Sequence, residues 1–327
     1  MTDTAHVDTA SVELDFEAHR RELTAYCYRM LGSAFEADDA VQETLVRAWR
    51  NFDRFEGRSS VRSWLYKIAS NVCFDQLRGR QRRAMPIDVM AMGRADGPVE
   101  ARLPESNWIG PIPDQRVVAS DADPAEQAVA RESVRLAFVA ALQQLPPRQR
   151  AVLILREVLK WRAQEVAELL DTTVVSVNSA LQRARATLAE RDVDAAGDPE
   201  PLDREQEELL ARYVDAFERF DIEELVTLLR DDATMSMPPY PLWLRGPDAL
   251  RTWLLGNGSG CRGSRVAPLQ ANGRPAFAQW RPGEREGTYD AWAIHVLELS
   301  DTQIAGIDFF VDPELFPLFG VPVHLEA

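Results

Sequence analysis

Residues 163–189 read AQEVAELLDTTVVSVNSALQRARATLA. Ala163 to Leu170 has the pattern of a short helix, Asp171 and Thr172 make a turn, and Thr173 offers a hydroxyl N-cap to a second helix running to about Ala189. On that second helix Val174, Val177, Leu181, Ala184 and Leu188 recur at helical spacing and define a face to be buried. Asn178, Ser179, Gln182, Arg183 and Arg185 project from the remainder. Amides and arginines fork onto base edges, while hydroxyls and further arginines hold phosphates. A helix-turn-helix so equipped points to duplex DNA. The same spacing fits an ordinary three-helix bundle with a solvated polar face. Local charge favours DNA, because residues 148–191 carry 8 basic against 5 acidic side chains.

Upstream, Asp123-Pro124-Ala125-Glu126 offers an N-cap, a first-turn proline and a capping-box glutamate, and Pro146-Pro147 ends one helix and starts the next. A helical domain over residues 124–191 follows. A second helical block spans residues 14–83, where Leu23, Tyr26, Cys27 and Met30, then Val41, Leu45, Ala48 and Trp49, then Trp64, Leu65, Ile68 and Val72 repeat at helical intervals. It closes on Arg78-Gly-Arg-Gln-Arg-Arg83, with Phe52, Phe55 and Trp64 upstream. Arginines interleaved with aromatics suit opened DNA, whose unstacked bases need a π surface. Aromatics at these spacings are also ordinary core residues. Residues 84–123 hold five prolines and no sustained periodicity, which predicts an interdomain linker.

The 327 residues are enough for two or three domains. With 46% hydrophobic and 27% charged residues, the chain is neither largely disordered nor membrane-embedded. The net charge of −15 argues against nucleic acid until it is divided. Residues 1–191 hold 26 basic and 27 acidic groups, and residues 192–327 hold 11 and 25. The acidic excess therefore belongs to the C-terminal part. Cys27, Cys73 and Cys261 form no CxxC pair, so neither a disulfide framework nor a cysteine metal site is expected. The polar start predicts no secretory signal, and no apolar run is long enough to span a membrane. A cytoplasmic protein without metal or cofactor is the expectation.

The two stretches EADDAVQETLVRAWRNFDRFEGRSSVRSWLYKIASNVCFDQLRGR and LQQLPPRQRAVLILREVLKWRAQEVAELLDTTVVSVNSALQRARATL resemble the two conserved domains of bacterial sigma-70 factors, and more narrowly those of the extracytoplasmic-function group. The resemblance implies RNA polymerase core and promoter DNA as partners. The first domain would dock on the β′ clamp helices and open the minus-ten element. The second would bind the β flap and read the minus-thirty-five element. The matching positions for polymerase are Asp38, Asp39, Gln42 and Glu43. A flipped minus-ten base would be held by the loop with Phe55, Arg58, Ser59 and Ser60 together with Asn71, and the arginine run itself makes Arg78 and Arg80 candidates for opened DNA. For the minus-thirty-five element the positions are Arg156, Asn178, Ser179, Gln182 and Arg183, and Arg185 is a DNA-binding candidate from its place on the same helix. Two positions depart from the common pattern, which often has basic residues where Asn178 and Ala180 stand. Arg162 also replaces the usual Ser/Thr cap, at a cost of about 1 kcal/mol. An anti-sigma protein is a further partner the family admits.

Residues 202–327 begin with two amphipathic helices and continue into strand candidates at 265–272, 276–280, 289–299 and 303–312, an α+β domain. LLARYVDAFERFDIEELVTLLRDDATMSMPP and ANGRPAFAQW resemble the SnoaL-like cone fold, and the chain resembles the sigma factors that carry such a domain, as does LPESNWIGPIPD in the linker. The whole then reads as two all-α sigma domains followed by an α+β cone. Cone folds enclose an apolar pocket, for which Tyr240, Trp243, Trp292 and His295 are candidates, with a small-molecule ligand as possible occupant. Asp290, His295 and Asp308 lie on strand candidates, but a lone strand histidine is more often structural than a base. The expectation is no catalysis and an attached regulatory domain. The alternative is a stand-alone helix-turn-helix repressor with a small-molecule-sensing domain, which leaves residues 14–83 without a use.

Overall fold

The computed structural model describes residues 16–55, 57, 59–189 and 202–326, with the Arg54 side chain left aside. The chain divides into two compact units, Met1–Arg82 with Gln115–Ala196, and Arg83–Asp114 with Gly197–Ala327.

The first unit is all-helical. Its elements are α1 (Arg20–Leu31), α2 (Ala34–Arg50), α3 (Val61–Leu77), α4 (Pro124–Glu132), α5 (Leu136–Gln143), α6 (Pro147–Leu153), α7 (Ala163–Leu169) and α8 (Val174–Ala189). Helix α1 is central, burying Leu23, Tyr26, Cys27, Met30 and Leu31, and ends on Gly32 in the left-handed region (φ 75°). Ser33 caps α2, Ser60 caps α3, and Asp123 accepts from the Ala125 amide at the start of α4, where Pro124 takes the first position. A π-helical turn, Ile154–Val158, follows α6. Between Pro124 and the expected helix end at Pro146 the structure has a break at Ser133–Arg135, where the Ser133 hydroxyl folds back onto the Ala130 carbonyl (2.8 Å).

Two arginines that have no carboxylate partner among the described residues tie α1 to the second helical block. Arg29 donates to the Ser133 carbonyl (3.1 Å) and hydroxyl (2.5 Å). Arg150 donates to the Met30 carbonyl, the Gln143 side chain (2.6 Å), and the carbonyls of Gln143 (3.1 Å) and Leu145 (3.2 Å). Burial pulls both guanidinium pKa values down to about 10, so both remain cations. In the interior Tyr66 of α3 packs on Trp161 with ring centroids 5.1 Å apart, and at the surface Lys67 pairs with Asp171 at 2.7 Å.

The second unit contains α9 (Arg204–Arg219), α10 (Ile222–Thr227), β1 (Leu229–Ser236), β2 (Trp243–Arg245), α11 (Pro247–Leu255), β3 (Arg265–Ala271), β4 (Arg274–Pro282), β5 (Thr288–Ser300), β6 (Gln303–Phe310) and β7 (His324–Glu326). One mixed sheet runs β2-β1-β6-β5-β4-β3, with β1 and β6 parallel and β7 paired to β5. The helices cover one face, where Tyr213, Phe217, Leu225, Leu250 and Trp253 meet Met235, Phe277, Leu297, Ile307 and Phe309. Strand alternation puts Ile307 and Phe309 in that core and turns Asp308 away from it. The four expected strands appear as β3 to β6, with β1, β2 and β7 in addition.

The proline-rich stretch expected to serve as a linker belongs, over Arg83–Asp114, to this second unit. It closes on itself: Ala84 bridges Trp108, and the Arg83 guanidinium holds the Trp108 carbonyl (2.6 Å) and the Glu105 carboxylate (2.9 and 3.0 Å). It then docks on the β3–β4 turn. Asn272 receives the Ile112 amide on its side-chain oxygen (3.0 Å) and donates its own amide to the Ile112 carbonyl (3.1 Å). Asp114 accepts from the Gly273 amide (2.8 Å). Trp108, Ile109 and Ile112 are buried, which gives a stretch without periodicity something to fold around.

Candidate nucleic-acid interface

Helix α2 buries Ala37, Ala40, Val41, Thr44, Leu45 and Ala48, which leaves Asp38, Asp39, Gln42 and Glu43 together on its outer side. Asp39 and Gln42 are exposed. Glu43 is bound by Arg47 (2.7 Å) and Asp38 by Arg116 (2.8 Å). Burial lifts the Asp38 carboxyl above its usual range, and Arg116 offsets part of that. Arg116 lies in the expected linker and was invisible to reasoning from motifs, because no periodicity marks it.

In the next loop Phe55 is half-buried, with its ring centroid 5.0 Å from Trp64 and 6.0 Å from Phe52. Ser59 is exposed, and the Ser60 hydroxyl accepts from the Ser63 amide (3.1 Å) and so starts α3. Asn71 is exposed two turns beyond Trp64 on the same side of α3. Arg78 pairs with Asp75 (3.3 Å), and Arg80 reaches Glu36 of α2 (2.5 Å). Arg58 lies outside the described residues.

The helix-turn-helix is built as its sequence pattern predicts. Asp171 takes a positive φ of 50° in the turn, and the Thr173 hydroxyl accepts from the Ser176 amide (3.1 Å) to open α8. Half of the missing cap at Arg162 is restored by Glu165, which accepts from the Arg162 amide (2.7 Å) while its second oxygen takes the guanidinium (2.9 Å). Helix α8 buries Val177, Ala180, Leu181 and Ala184; Val174 and Leu188 are only half-buried. Ala180 therefore faces the bundle, so a basic side chain there would not reach outward as Asn178 does. Asn178, Gln182, Arg183 and Arg185 are exposed and Ser179 half-buried. Arg185 pairs with Glu157 (2.5 Å). Arg156 is half-buried and donates to the Trp161 carbonyl, so part of its guanidinium is committed to the turn between α6 and α7.

In the C-terminal unit an apolar cavity of about 20 Å³, room for one water at most, is lined by Tyr213, Phe217, Leu250, Met235, Ile307 and Phe309 among others. None of the four residues expected to line a pocket lines this cavity. Trp243 donates its indole N–H to the Met90 carbonyl (3.0 Å), and Tyr240 lies under Arg102 (5.8 Å), so both clamp the 83–114 segment at the rim of the sheet. Trp292 stacks beneath Arg281 (3.5 Å). His295 is wholly buried between the Tyr213 hydroxyl and Gln279 (2.9 Å each), and Gln279 donates to Ser264 (2.9 Å). Burial drives the His295 pKa down to about 3. Aromatic residue type alone had suggested the pocket; the helix α9 face, read only as amphipathic, supplies its walls. Among the described residues no cluster of three metal-ligating side chains occurs and no helix is long and apolar enough to cross a membrane.

Comparison with known proteins agrees with this layout. Residues 16–83 match the family described as Sigma-70 region 2, residues 135–188 match Sigma-70, region 4, and residues 210–307 match the SnoaL-like domain. The ECF RNA polymerase sigma factor SigG of Mycobacterium tuberculosis (strain ATCC 25618 / H37Rv) is 44% identical over 322 residues, covering 95% of this chain and 85% of that protein. SigJ of the same strain is 26% identical over 313 residues, 92% of each chain. The crystal structure of Mycobacterium tuberculosis SigJ superposes with a TM-score of 0.58 at 23% identity, covering 95% of this chain and 99% of that one, which speaks to the fold.

Proposed function

Because this chain belongs to the extracytoplasmic-function sigma factors of the sigma-70 family, we propose a division of labour among its surfaces in which the C-terminal unit regulates the other two domains in cis. As a sigma factor it directs RNA polymerase to promoters and initiates transcription. Helix α2, with Asp38, Asp39, Gln42 and Glu43, docks on the β′ clamp helices, and the second helical block docks on the β flap. The loop from Phe55 to Ser60 with Asn71 receives a flipped minus-ten base. Arg78 and Arg80 hold backbone phosphates, and Asn178, Ser179, Gln182 and Arg183 read the minus-thirty-five element. This work is done in the cytoplasm, where the polymerase is.

The observation that carries the regulatory part is the docking of residues 83–114 on the C-terminal sheet. The two promoter elements lie about 25 base pairs apart, or about 85 Å at 3.4 Å per pair. A free 32-residue segment reaches up to about 110 Å, enough to let both helical blocks bind at once. Held on the C-terminal unit, it is not available for that span. The Lys67–Asp171 pair likewise joins α3 to the helix-turn-helix, an arrangement in which the two DNA-reading surfaces are too close for their elements. Release of the segment is the regulated step.

The C-terminal unit is not catalytic in this reading. His295, neutral and held at both ring nitrogens, is a poor base. Asp308, with a pKa pushed up to about 6 by burial, points to the opposite side of the sheet from the cavity. Two substitutions test the regulatory reading: Asn272→Gly, which keeps a backbone with φ 55° comfortable while removing the acceptor for Ile112, and Trp108→Ala, which removes the buried anchor. Both are expected to change promoter-dependent transcription by reconstituted polymerase. Unchanged transcription and core affinity in both variants would overturn it.

A further inference from the structure

Val175 is 75% exposed, more open than any other large apolar side chain among the described residues. It is the second residue of α8, and neither packing nor helix propensity accounts for a β-branched side chain in water at that point. Its angular position does. At about 100° per residue, Val175, Asn178, Ser179 and Gln182 fall within about 60° of one another's mean line, opposite the buried Val177, Ala180, Leu181 and Ala184. Arg183 and Arg185 lie about 80° to either side of Val175. The helix thus presents a central stripe of one apolar, two amide and one hydroxyl side chain, flanked by a cation on each side. That is the layout for a helix in a major groove, with the stripe on base edges and the flanks toward the two phosphate walls.

In the groove the apolar feature available is the thymine C5-methyl, and residues near the N-terminus of a recognition helix are those that reach base edges. We propose that Val175 is a specificity-determining residue that packs on a thymine methyl in the minus-thirty-five element. The rise from Val175 to Asn178 is about 4.5 Å along the helix, against about 3.4 Å per base pair. The thymine is therefore within about one or two base pairs of the adenine that Asn178 suits. This inference rests on the reading of α8 as the minus-thirty-five reader.

The test uses holoenzyme reconstituted from the full chain and core polymerase, and promoter duplexes recovered by selection from a randomised upstream element. Each thymine of the recovered element is replaced in turn by deoxyuridine, which removes the methyl alone. One replacement is expected to weaken wild-type binding about three- to tenfold. The Val175→Ala variant should bind thymine DNA more weakly by a similar factor and be indifferent to that replacement. Loss that is equal on thymine and deoxyuridine DNA, loss of core binding, or no loss overturns the proposal. Asn178→Ala and Gln182→Ala separate the two levels. If they alter upstream-element preference while Val175→Ala shows no coupling to a methyl, only this inference fails; if they too are without effect, the reading of α8 fails with it.

Discussion

Arg116 and Asp38 stand 2.8 Å apart, so a residue two positions beyond the docked segment occupies one of the acidic groups on the outer side of α2. A basic group on polymerase that uses Asp38 has to displace it. Both side chains are partly exposed, and such pairs contribute about 0.2–1 kcal/mol. Arg116→Ala should therefore tighten core binding by no more than about fivefold, read by titrating labelled full-length protein with core polymerase. Weaker binding would instead make Arg116 part of the docking surface.

Lys67 and Asp171 join α3 to the helix-turn-helix through a pair open to solvent. Lys67→Ala is expected to loosen the contact, and added salt to do the same to the wild type but not to the variant. A donor–acceptor label pair on α3 and α7 measures the separation. An identical salt response in both proteins would place the salt-sensitive contact elsewhere.

His295 and Asp308 give the C-terminal unit an unusual pH profile. The folded pKa of His295, about 3, lies below the ordinary value of 6.5, so acidification protonates the unfolded chain first and stability falls as pH drops below about 6.5. Asp308 runs the other way. Its folded pKa of about 6 exceeds the ordinary 3.8, so its contribution is present at low pH and is lost as pH rises toward 6. Between about pH 4 and 6 the two slopes oppose. Asp308→Asn retains an acceptor for Ser236 and leaves only the histidine slope. Its stability should climb by about 1.4 kcal/mol per pH unit over that window while the wild type stays nearly flat, as read from denaturant melts of the C-terminal unit.

Asn178 belongs to the exposed stripe of α8. Asparagine pairs with adenine through two hydrogen bonds, and arginine does so with guanine. Asn178→Arg should move one position of the upstream element from adenine toward guanine by about 1–3 kcal/mol, read by competition between selected promoter duplexes. A uniform gain on all sequences would mean that the new arginine binds phosphate.

The helix-turn-helix was legible because its periodicity and its caps agree: Thr173, the buried Val177 and Ala184, and the exposed Asn178 and Gln182 all follow from spacing. The four strands read from β-branched and aromatic runs were also legible. Residues 83–114 were not, because prolines erase periodicity and the docking is made largely by backbone groups, as at Ile112 and Asn272. The same blindness hid the role of Tyr240 and Trp243, which looked like pocket aromatics by type but clamp that segment. Arg116 was missed for a related reason. Its partner is 78 positions earlier, and nothing local to either residue announces the pairing.

The path of the chain through the two units has a topological consequence. Residues 115–196 enter and leave between two parts of the second unit, Arg83–Asp114 and Gly197–Ala327. The helix-turn-helix block is thus an insertion in a discontinuous domain. Its two halves meet at the β3–β4 turn, and completing that domain closes a loop around the whole inserted block. A truncation near Asp203 does not remove a module. It leaves the Trp108 indole N–H and the Ile112 amide without the Pro239 and Asn272 oxygens that accept from them, so the remaining 83–114 segment loses the surface on which it docks.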